Sequence, residues 1–399
     1  MRVLWINSVC GAGSTGKIVV GLYNTACRAG HDGKIFYGVG EATGVSTKDA
    51  ICFGSRFDYY LHNLRSRLTD HAGFYSTKAT ERLITGIIEY DPDVIHLHNL
   101  HGYYLNVDRL FRFLKVFAKP IVWTLHDCWA FTGHCTYFSS AACSQWESCC
   151  KHCSQLRQYP KCYFSGDVEQ NYLRKRELFS SLDEMILVTP SHWLAQIVKR
   201  SFLGNYEIKV IPNGIDTSIF RPQESELKKQ FGLENKKIAL GVASVWNERK
   251  GLPDFHILAG RLPSDWQLVL VGLNEKQKAA MPNNVVALDR ISSQSELARI
   301  YSAADVFINP SYEETMGLTT VEALACGTPA IVYDRTAVPE TIDRRSGIIV
   351  KAGDIDALSH EIVNCTLKRS DARARGERYD QLQQNEAYLR LYEKLSGSK

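Results

Sequence analysis

Short runs rich in Val, Ile and Leu recur along this chain, and apolar residues return between them at helical spacing. The runs fall at residues 3–7, 34–37, 94–98, 121–125, 185–189 and 209–212, then at 238–243, 267–271, 285–288, 305–309, 330–333 and 347–350. Near-continuous apolar runs of this length suit strands covered on both faces. Helical periodicity occupies 16–29, 59–68, 79–89, 191–201, 294–304 and 355–367. The alternation predicts an α/β protein with parallel sheets flanked by helices. The runs divide into two sets at Pro212-Asn-Gly-Ile-Asp-Thr-Ser-Ile-Phe-Arg-Pro222, a stretch of turn formers. Two domains follow, and 399 residues are enough for both.

A net charge of +4 gives no electrostatic basis for nucleic-acid binding. No stretch of about 18 apolar residues predicts a membrane span. The opening Met1-Arg-Val-Leu-Trp-Ile-Asn7 soon meets Gly11 and Gly13 and reads as a buried first strand, not a secretory leader. A cytoplasmic protein with reduced thiols is therefore expected.

The segment Ser311-Tyr-Glu-Glu-Thr-Met-Gly-Leu-Thr-Thr-Val-Glu322 puts Glu314 and Glu322 on either side of a helix start. Eight helical residues span roughly 12 Å, too far for a glycosidase carboxylate pair at about 5–9.5 Å. The spacing suits two grips on one long ligand. Backbone N–H groups of Thr315, Met316, Gly317 and Leu318 would hold an anion between them. Carboxylate, anion cradle, carboxylate is the order that sugar, diphosphate and ribose require.

This segment resembles the Glu-x7-Glu signature of family 4 retaining glycosyltransferases, which have the GT-B fold: two Rossmann-like domains with parallel sheets facing a cleft, and a C-terminal crossover helix. The resemblance implies that Glu314 contacts the donor sugar and Glu322 the nucleotide ribose. Met316 stands where the family usually has an aromatic residue. The segment from Pro212 resembles the family's Asn-Gly-x-Asp hinge, and the charged tail after Arg369 its returning crossover. The implied division is 1–216 for the acceptor-side domain with a Cys-rich insert at 128–162, 217–375 for the nucleotide-sugar domain, and 376–399 for the tail.

Gly11, Gly13 and Gly16 spell a dinucleotide fingerprint, but the second strand ends in Tyr37-Gly38 without the acidic residue that would take the ribose. Gly11 to Lys17 also mimics a P-loop, but Ile18 replaces the Mg²⁺-binding Ser/Thr. The family resemblance instead implies a donor- and acceptor-facing loop, where Gly13 and Gly16 admit close backbone approach. In Val245-Trp-Asn-Glu-Arg-Lys-Gly-Leu252, the Arg249-Lys250 pair follows a strand at the carboxyl edge of its sheet, where such folds bind ligands. It matches the family's basic pair and would neutralise the departing diphosphate without a catalytic metal. Thr124-Leu-His-Asp127 is shared with the family and implies that His126 meets the donor sugar near its reacting carbon, so that this carbon lies between His126 and Glu314. Asp127 would orient His126 or cap a turn. In Val94-Ile-His-Leu-His-Asn-Leu-His-Gly102, His96 and His98 share one strand face. A zinc site there competes with acceptor contacts from His98, Asn99, His101 and Tyr103, which are favoured. Neither Asp91-Pro-Asp93 nor Asp354-Ile-Asp356 is placed to hold a donor-bound metal. The first lies on the amino edge of a strand, and the second starts a late helix.

Seven of the 12 cysteines lie between Cys128 and Cys162. Cys135, Cys143, Cys150 and Cys153 make C-x7-C-x6-C-x2-C, and four thiolates suit a structural Zn²⁺. A subset of family 4 enzymes has a similar insert, with glycine often where Cys149 stands. That leaves Cys149 against Cys150 open, with His134, His152 and Cys162 as substitute ligands. A metal-free loop and a redox-active Cys-x-x-Cys are the competing readings.

The resemblance runs from the glycine loop to Glu322. It implies retaining transfer from a nucleotide diphosphate sugar, UDP-linked by preference, to a glycan hydroxyl, with a donor phosphate oxygen taking the acceptor's proton. The rival enzyme is a nucleotide-sugar epimerase of the same fold; a non-catalytic nucleotide-sugar sensor is the other alternative. Between 57 and 78, Tyr59, Tyr60, Arg65, Arg67, Phe74, Tyr75 and Lys78 mix aromatic and basic character suited to an anionic membrane. A lipid-linked acceptor and peripheral attachment at the inner face of the plasma membrane are therefore expected, as in bacterial surface-polysaccharide assembly.

Overall fold

A computed structural model describes residues 1–164 and 166–397. The expected tail runs to Lys399, and its last two positions lie outside the described residues. The chain forms two compact units. One is Met1–Pro212 together with Gln384–Lys399, and the other is Asn213–Gln383. The chain leaves the first unit beside the turn-rich break and re-enters it inside the last helix, Gln381–Ser396.

In the first unit the strands are β1 (Arg2–Asn7), β2 (Asp32–Tyr37), β3 (Ala50–Cys52), β4 (Val94–Leu97), β5 (Ile121–Thr124), β6 (Met185–Thr189) and β7 (Glu207–Val210). They form one sheet in the order β3-β2-β1-β4-β5-β6-β7, with every pair parallel. The second unit has β8 (Lys237–Val242), β9 (Trp266–Val271), β10 (Val285–Leu288), β11 (Val306–Asn309), β12 (Ala330–Tyr333) and β13 (Gly347–Val350). Their order is β10-β9-β8-β11-β12-β13, again all parallel.

Both sheets are apolar on both faces, as the unbroken Val/Ile/Leu runs require. On β1, Leu4 and Ile6 enter one core while Val3 and Trp5 enter the other. In the first unit, two helices are absent from the sequence expectations. Val107–Phe117 buries Val107, Leu110, Phe111 and Leu114 at i, i+3, i+4 and i+7, and Asn106 caps it by accepting from Arg109 N. Val168–Phe179 is the other. The edge strand β3 is also unanticipated, because three residues carry no readable period.

The last helix completes the first unit's core. It buries Tyr388, Leu389, Leu391 and Tyr392. Trp5 Nε1 donates to Tyr392 Oη at 3.3 Å, and His96 Nδ1 bonds the same hydroxyl at 2.6 Å. His96 Nε2 bonds Thr124 Oγ1 at 2.8 Å, and Thr124 Oγ1 meets Tyr388 Oη at 3.0 Å. Both His96 nitrogens are therefore committed to the fold.

Each sheet has a point where the strand order reverses, between β1 and β4 and between β8 and β11. Loops leaving the carboxyl ends of such neighbouring strands diverge and open a crevice. In the second unit these are the loops bearing Arg249-Lys250 and Glu314. In the first they are the glycine loop and the His98–Gly102 segment.

Candidate active site

In the second unit, β8 runs out into Ala243–Asn247. Asn247 Oδ1 then accepts from Lys250 N at 3.1 Å and starts a short 3₁₀ turn, Glu248–Lys250. Gly251 ends the turn at φ 72°, and a Cβ there would lie 2.3 Å from Pro310 O. Only glycine lets the loop after β8 press this closely on the loop after β11. Tyr312 N donates to Arg249 O at 2.9 Å, and Arg249 Nη1 donates to Glu313 O at 2.8 Å. Lys250 Nζ is in direct contact with Glu314 Oε1, and both side chains are largely buried. Burial and the neighbouring Arg249 guanidinium pull the Lys250 ammonium down to about 7, while a carboxylate in contact acts in the opposite direction. The three expected catalytic residues of this unit thus share one small site.

Gly317, at φ 98°, caps the helix Leu318–Ala325. First-turn N–H groups of a helix lack intrahelical acceptors and favour an anion. Glu314 N is already engaged, donating to Thr336 Oγ1 at 2.9 Å. Asn309 Nδ2 donates to Thr320 Oγ1 at 2.8 Å, which ties the end of β11 to this helix. The Met316 side chain points into the core, where its sulfur accepts from Asn213 N at 3.2 Å, so only its backbone is available to a ligand. Glu322 accepts from the buried Tyr301 hydroxyl at 2.9 Å, which fixes one carboxylate oxygen. Sequence reasoning missed Asp254. Its Oδ2 accepts from Tyr312 Oη at 2.9 Å and Tyr333 Oη at 2.7 Å, bracing the loop that carries Glu314. Asp254 lies in the first turn of a helix, where its sequence signal is only that of a helix start.

In the first unit, the helix Gly13–Arg28 begins within the glycine loop. Gly13 has φ 62° and open space around its Cβ position. Gly16 instead serves the chain's own close approach, since its Cβ would lie 3.0 Å from Gly11 N. His98 Nδ1 and His126 Nε2 are 3.0 Å apart, and their rings stack at 5.3 Å. Burial pulls His126 down to about 4 and His98 well below its ordinary range, so both are neutral near pH 7. The His98 Nε2 atom is buried without a hydrogen-bond partner. Asn99 N donates to Asn7 Oδ1 at 3.3 Å, joining the ends of β1 and β4.

Of the two alternatives for Asp127, the turn cap is the one seen: its Oδ1 accepts from Trp129 N at 2.9 Å, and its Oδ2 meets His101 Nε2 at 2.7 Å. It caps the turn and holds His101, whose Nδ1 meets Tyr159 Oη at 3.1 Å. Tyr103 is buried among Tyr59, His62 and Tyr159, so its ring is packing. His101 and Tyr103 therefore brace the Cys-rich segment with side chains proposed for acceptor contact.

Cys135, Cys143, Cys150 and Cys153 line one cavity, together with His134 and His152. Cys149 turns toward Glu169, with Sγ 3.9 Å from Oε1, and Cys162 donates to Phe164 O. A hydrogen bond between the Cys135 and Cys153 thiols pushes the first up and pulls the second down. His134 Nδ1 is held by the buried Asp70 carboxylate, and its Nε2 is buried without a hydrogen-bond partner. Lys175 Nζ lies 3.6 Å over the Trp129 ring and donates to Trp129 O at 2.9 Å and Thr132 O at 3.0 Å, fixing the approach to His134. Among the described residues, no three His, Cys, Asp or Glu side chains are gathered for one metal ion. The donor chemistry nonetheless fits zinc, because an imidazole backed by a carboxylate, with its far nitrogen unsatisfied beside thiols, is a ligand pattern. The thiols would have to turn onto the ion.

Two family models match the chain: Glycosyltransferase Family 4 over residues 19–219 and Glycosyl transferases group 1 over residues 236–367. The putative colanic acid biosynthesis glycosyl transferase WcaC of Escherichia coli K12 is 26% identical over 333 residues, covering 76% of this chain and 77% of that protein. D-inositol 3-phosphate glycosyltransferase of Mycolicibacterium smegmatis is 28% identical over 209 residues, 48% of each chain. Sucrose-phosphate synthase of Thermosynechococcus elongatus shares the fold at TM-score 0.73 and 18% identity over 100% of both chains. HepE of Anabaena, solved with UDP and glucose, does so at TM-score 0.67 and 16% identity, over 99% of this chain and 100% of that one.

Proposed function

Because the chain belongs to the family 4 glycosyltransferases, we propose that it moves a sugar from a UDP-sugar to a hydroxyl of a lipid-linked glycan, with retention at the anomeric carbon. The observation that carries this reading is the Arg249, Lys250 and Glu314 site at the strand-order reversal of the second sheet. Two cations there meet the charge that grows on a departing diphosphate, a task otherwise given to a divalent ion. Turnover should therefore survive brief EDTA treatment. Glu314 takes the sugar, the helix start at Gly317 the diphosphate, and Glu322 the ribose. The UDP complex of HepE supports the choice of nucleotide, and the WcaC resemblance supports a polysaccharide acceptor. In the first unit, His126 is held neutral near pH 7 by its burial. His98 orients it.

A thermal-shift screen of nucleotide sugars tests the donor, since binding to the native state raises the midpoint. A UDP-sugar at a hundred times its Kd should stabilise by about 2.7 kcal/mol. Labelled donor with and without a glycan acceptor then tests the reaction. A new nucleotide sugar means an epimerase, and binding without product means a sensor.

The insert is proposed to hold one structural zinc, with His134 joining thiols of Cys135, Cys150 and Cys153. Elemental analysis should find about one Zn per chain. His134→Ala and Cys150→Ser with Cys153→Ser should each remove it. Metal-free protein with full activity overturns the zinc.

A further inference from the structure

The helix Arg56–Thr69 has an apolar stripe that nothing in its unit covers. Phe57 is 74% exposed, Tyr60 67%, Leu64 56% and Leu68 48%. These positions recur at three- and four-residue steps and so form one line along the helix. His62 and Ser66, on the opposite side, are the buried residues of this helix. At its carboxyl end the helix meets the end of the Cys-rich insert: Tyr163 N donates to Arg67 O at 2.9 Å. Tyr163 and Phe164 are exposed there, Phe164 at 62%. Two distant segments thus add to one apolar surface.

Basic residues flank it. Arg65 lies on one side of the stripe, and Arg56 and Arg67 lie on the other. The Arg67 and Arg157 guanidiniums lie 5.8 and 5.5 Å from the Tyr163 ring centre. Among the described residues no carboxylate pairs with any of the four. The nearby acids are already engaged: Asp58 accepts from the capping Ser55 hydroxyl and meets Arg82, and Asp167 bonds His71. Phe74 and Tyr59, expected from sequence on this surface, are instead packed inward.

We propose that this face docks on an anionic lipid bilayer, with Phe57, Tyr60, Leu64, Leu68 and Phe164 in the headgroup region and the arginines on lipid phosphates. An apolar line with basic flanks is the pattern of a helix lying in a membrane interface. A second copy of the chain is a poor occupant. A two-fold interface sets the same patch against itself, so unpaired arginines would face arginines. The purpose of docking rests on the lipid-linked acceptor proposed above, but the test does not.

Vesicle flotation of the full chain decides it. Wild type should float with phosphatidylglycerol vesicles at low salt and much less with phosphatidylcholine vesicles. Arg65→Glu with Arg67→Glu should lower partitioning by about tenfold or more, as should Phe57→Ser with Leu64→Ser. The nucleotide-sugar midpoint shift of each variant should stay at the wild-type value, which separates lost docking from lost folding. Equal flotation of wild type and both variants overturns the proposal. So does a dimer, seen by sedimentation without vesicles, that the Phe57→Ser, Leu64→Ser variant abolishes. Failure to float with sugar transfer intact would overturn docking and leave the transferase reading standing.

Discussion

Lys250→Ala is expected to lower the turnover of sugar transfer about a hundredfold, the scale of losing one preorganised charge contact to a transition state. Lys250 touches Glu314, so its loss both removes a cation from the diphosphate and leaves a largely buried carboxylate unpaired. Arg249→Ala should cost a similar factor. It also frees the Glu313 carbonyl that the guanidinium holds, loosening the loop behind Glu314. Arg249→Lys should recover only part of the loss, because an ammonium cannot serve carbonyl and phosphate with one planar fork. Glu314→Gln should depress turnover more than nucleotide affinity. Glu322→Gln should do the reverse, since Glu322 is held by Tyr301 as a rigid acceptor. Steady-state rates and calorimetric UDP binding would separate the two. Wild-type rates in both Arg249→Ala and Lys250→Ala would remove the site assignment.

Tyr392→Ala should destabilise the first unit by about 4 kcal/mol or more. Truncating a buried aromatic costs about 3–5 kcal/mol. The change also strips the hydroxyl that serves Trp5 Nε1 and His96 Nδ1, and each orphaned buried group adds about 1–3 kcal/mol. Tyr392→Phe keeps the ring and should show only the second effect. Hydrogen exchange resolved by segment should place the loss on β1, β4 and β5 while β8–β13 keep their protection. Unchanged exchange on β1 would mean that the last helix is not part of that core.

The alternation of apolar runs made the parallel sheets legible, because buried strands repeat the same residue types wherever they fall. The stripe at Val107, Leu110, Phe111 and Leu114 was equally regular but follows a histidine-rich segment that draws attention to chemistry. In the second unit, the basic pair and Glu314 could be read because each is a short local motif at a strand end. Asp254 could not, since its meaning lies in two tyrosine hydroxyls from β12 and from the loop after β11, 79 and 58 residues away. His101 and Tyr103 share their loop with His98, and nothing local announces their contacts with Asp127, Tyr159 and Tyr59. The helix proposed to dock on a bilayer was read by composition alone. Which of its aromatics turn outward depends on Tyr103 and Tyr159, which no nearby pattern announces.

The return of the chain into its first unit sets an order of events at the ribosome. Domains normally fold as they emerge, the N-terminal one first, at about 5–20 residues per second of synthesis. Here the residues that close the Trp5–His96 face, from Gln384 onward, are made after the whole of Asn213–Gln383. Roughly 170 residues at that pace take on the order of 10–30 s. Through that interval the downstream unit is the one able to finish folding, while the upstream sheet lacks the part of its cover that Tyr388, Leu389, Leu391 and Tyr392 supply. A nascent chain stalled just short of Gln384 should be a better chaperone client than one extended through the last helix.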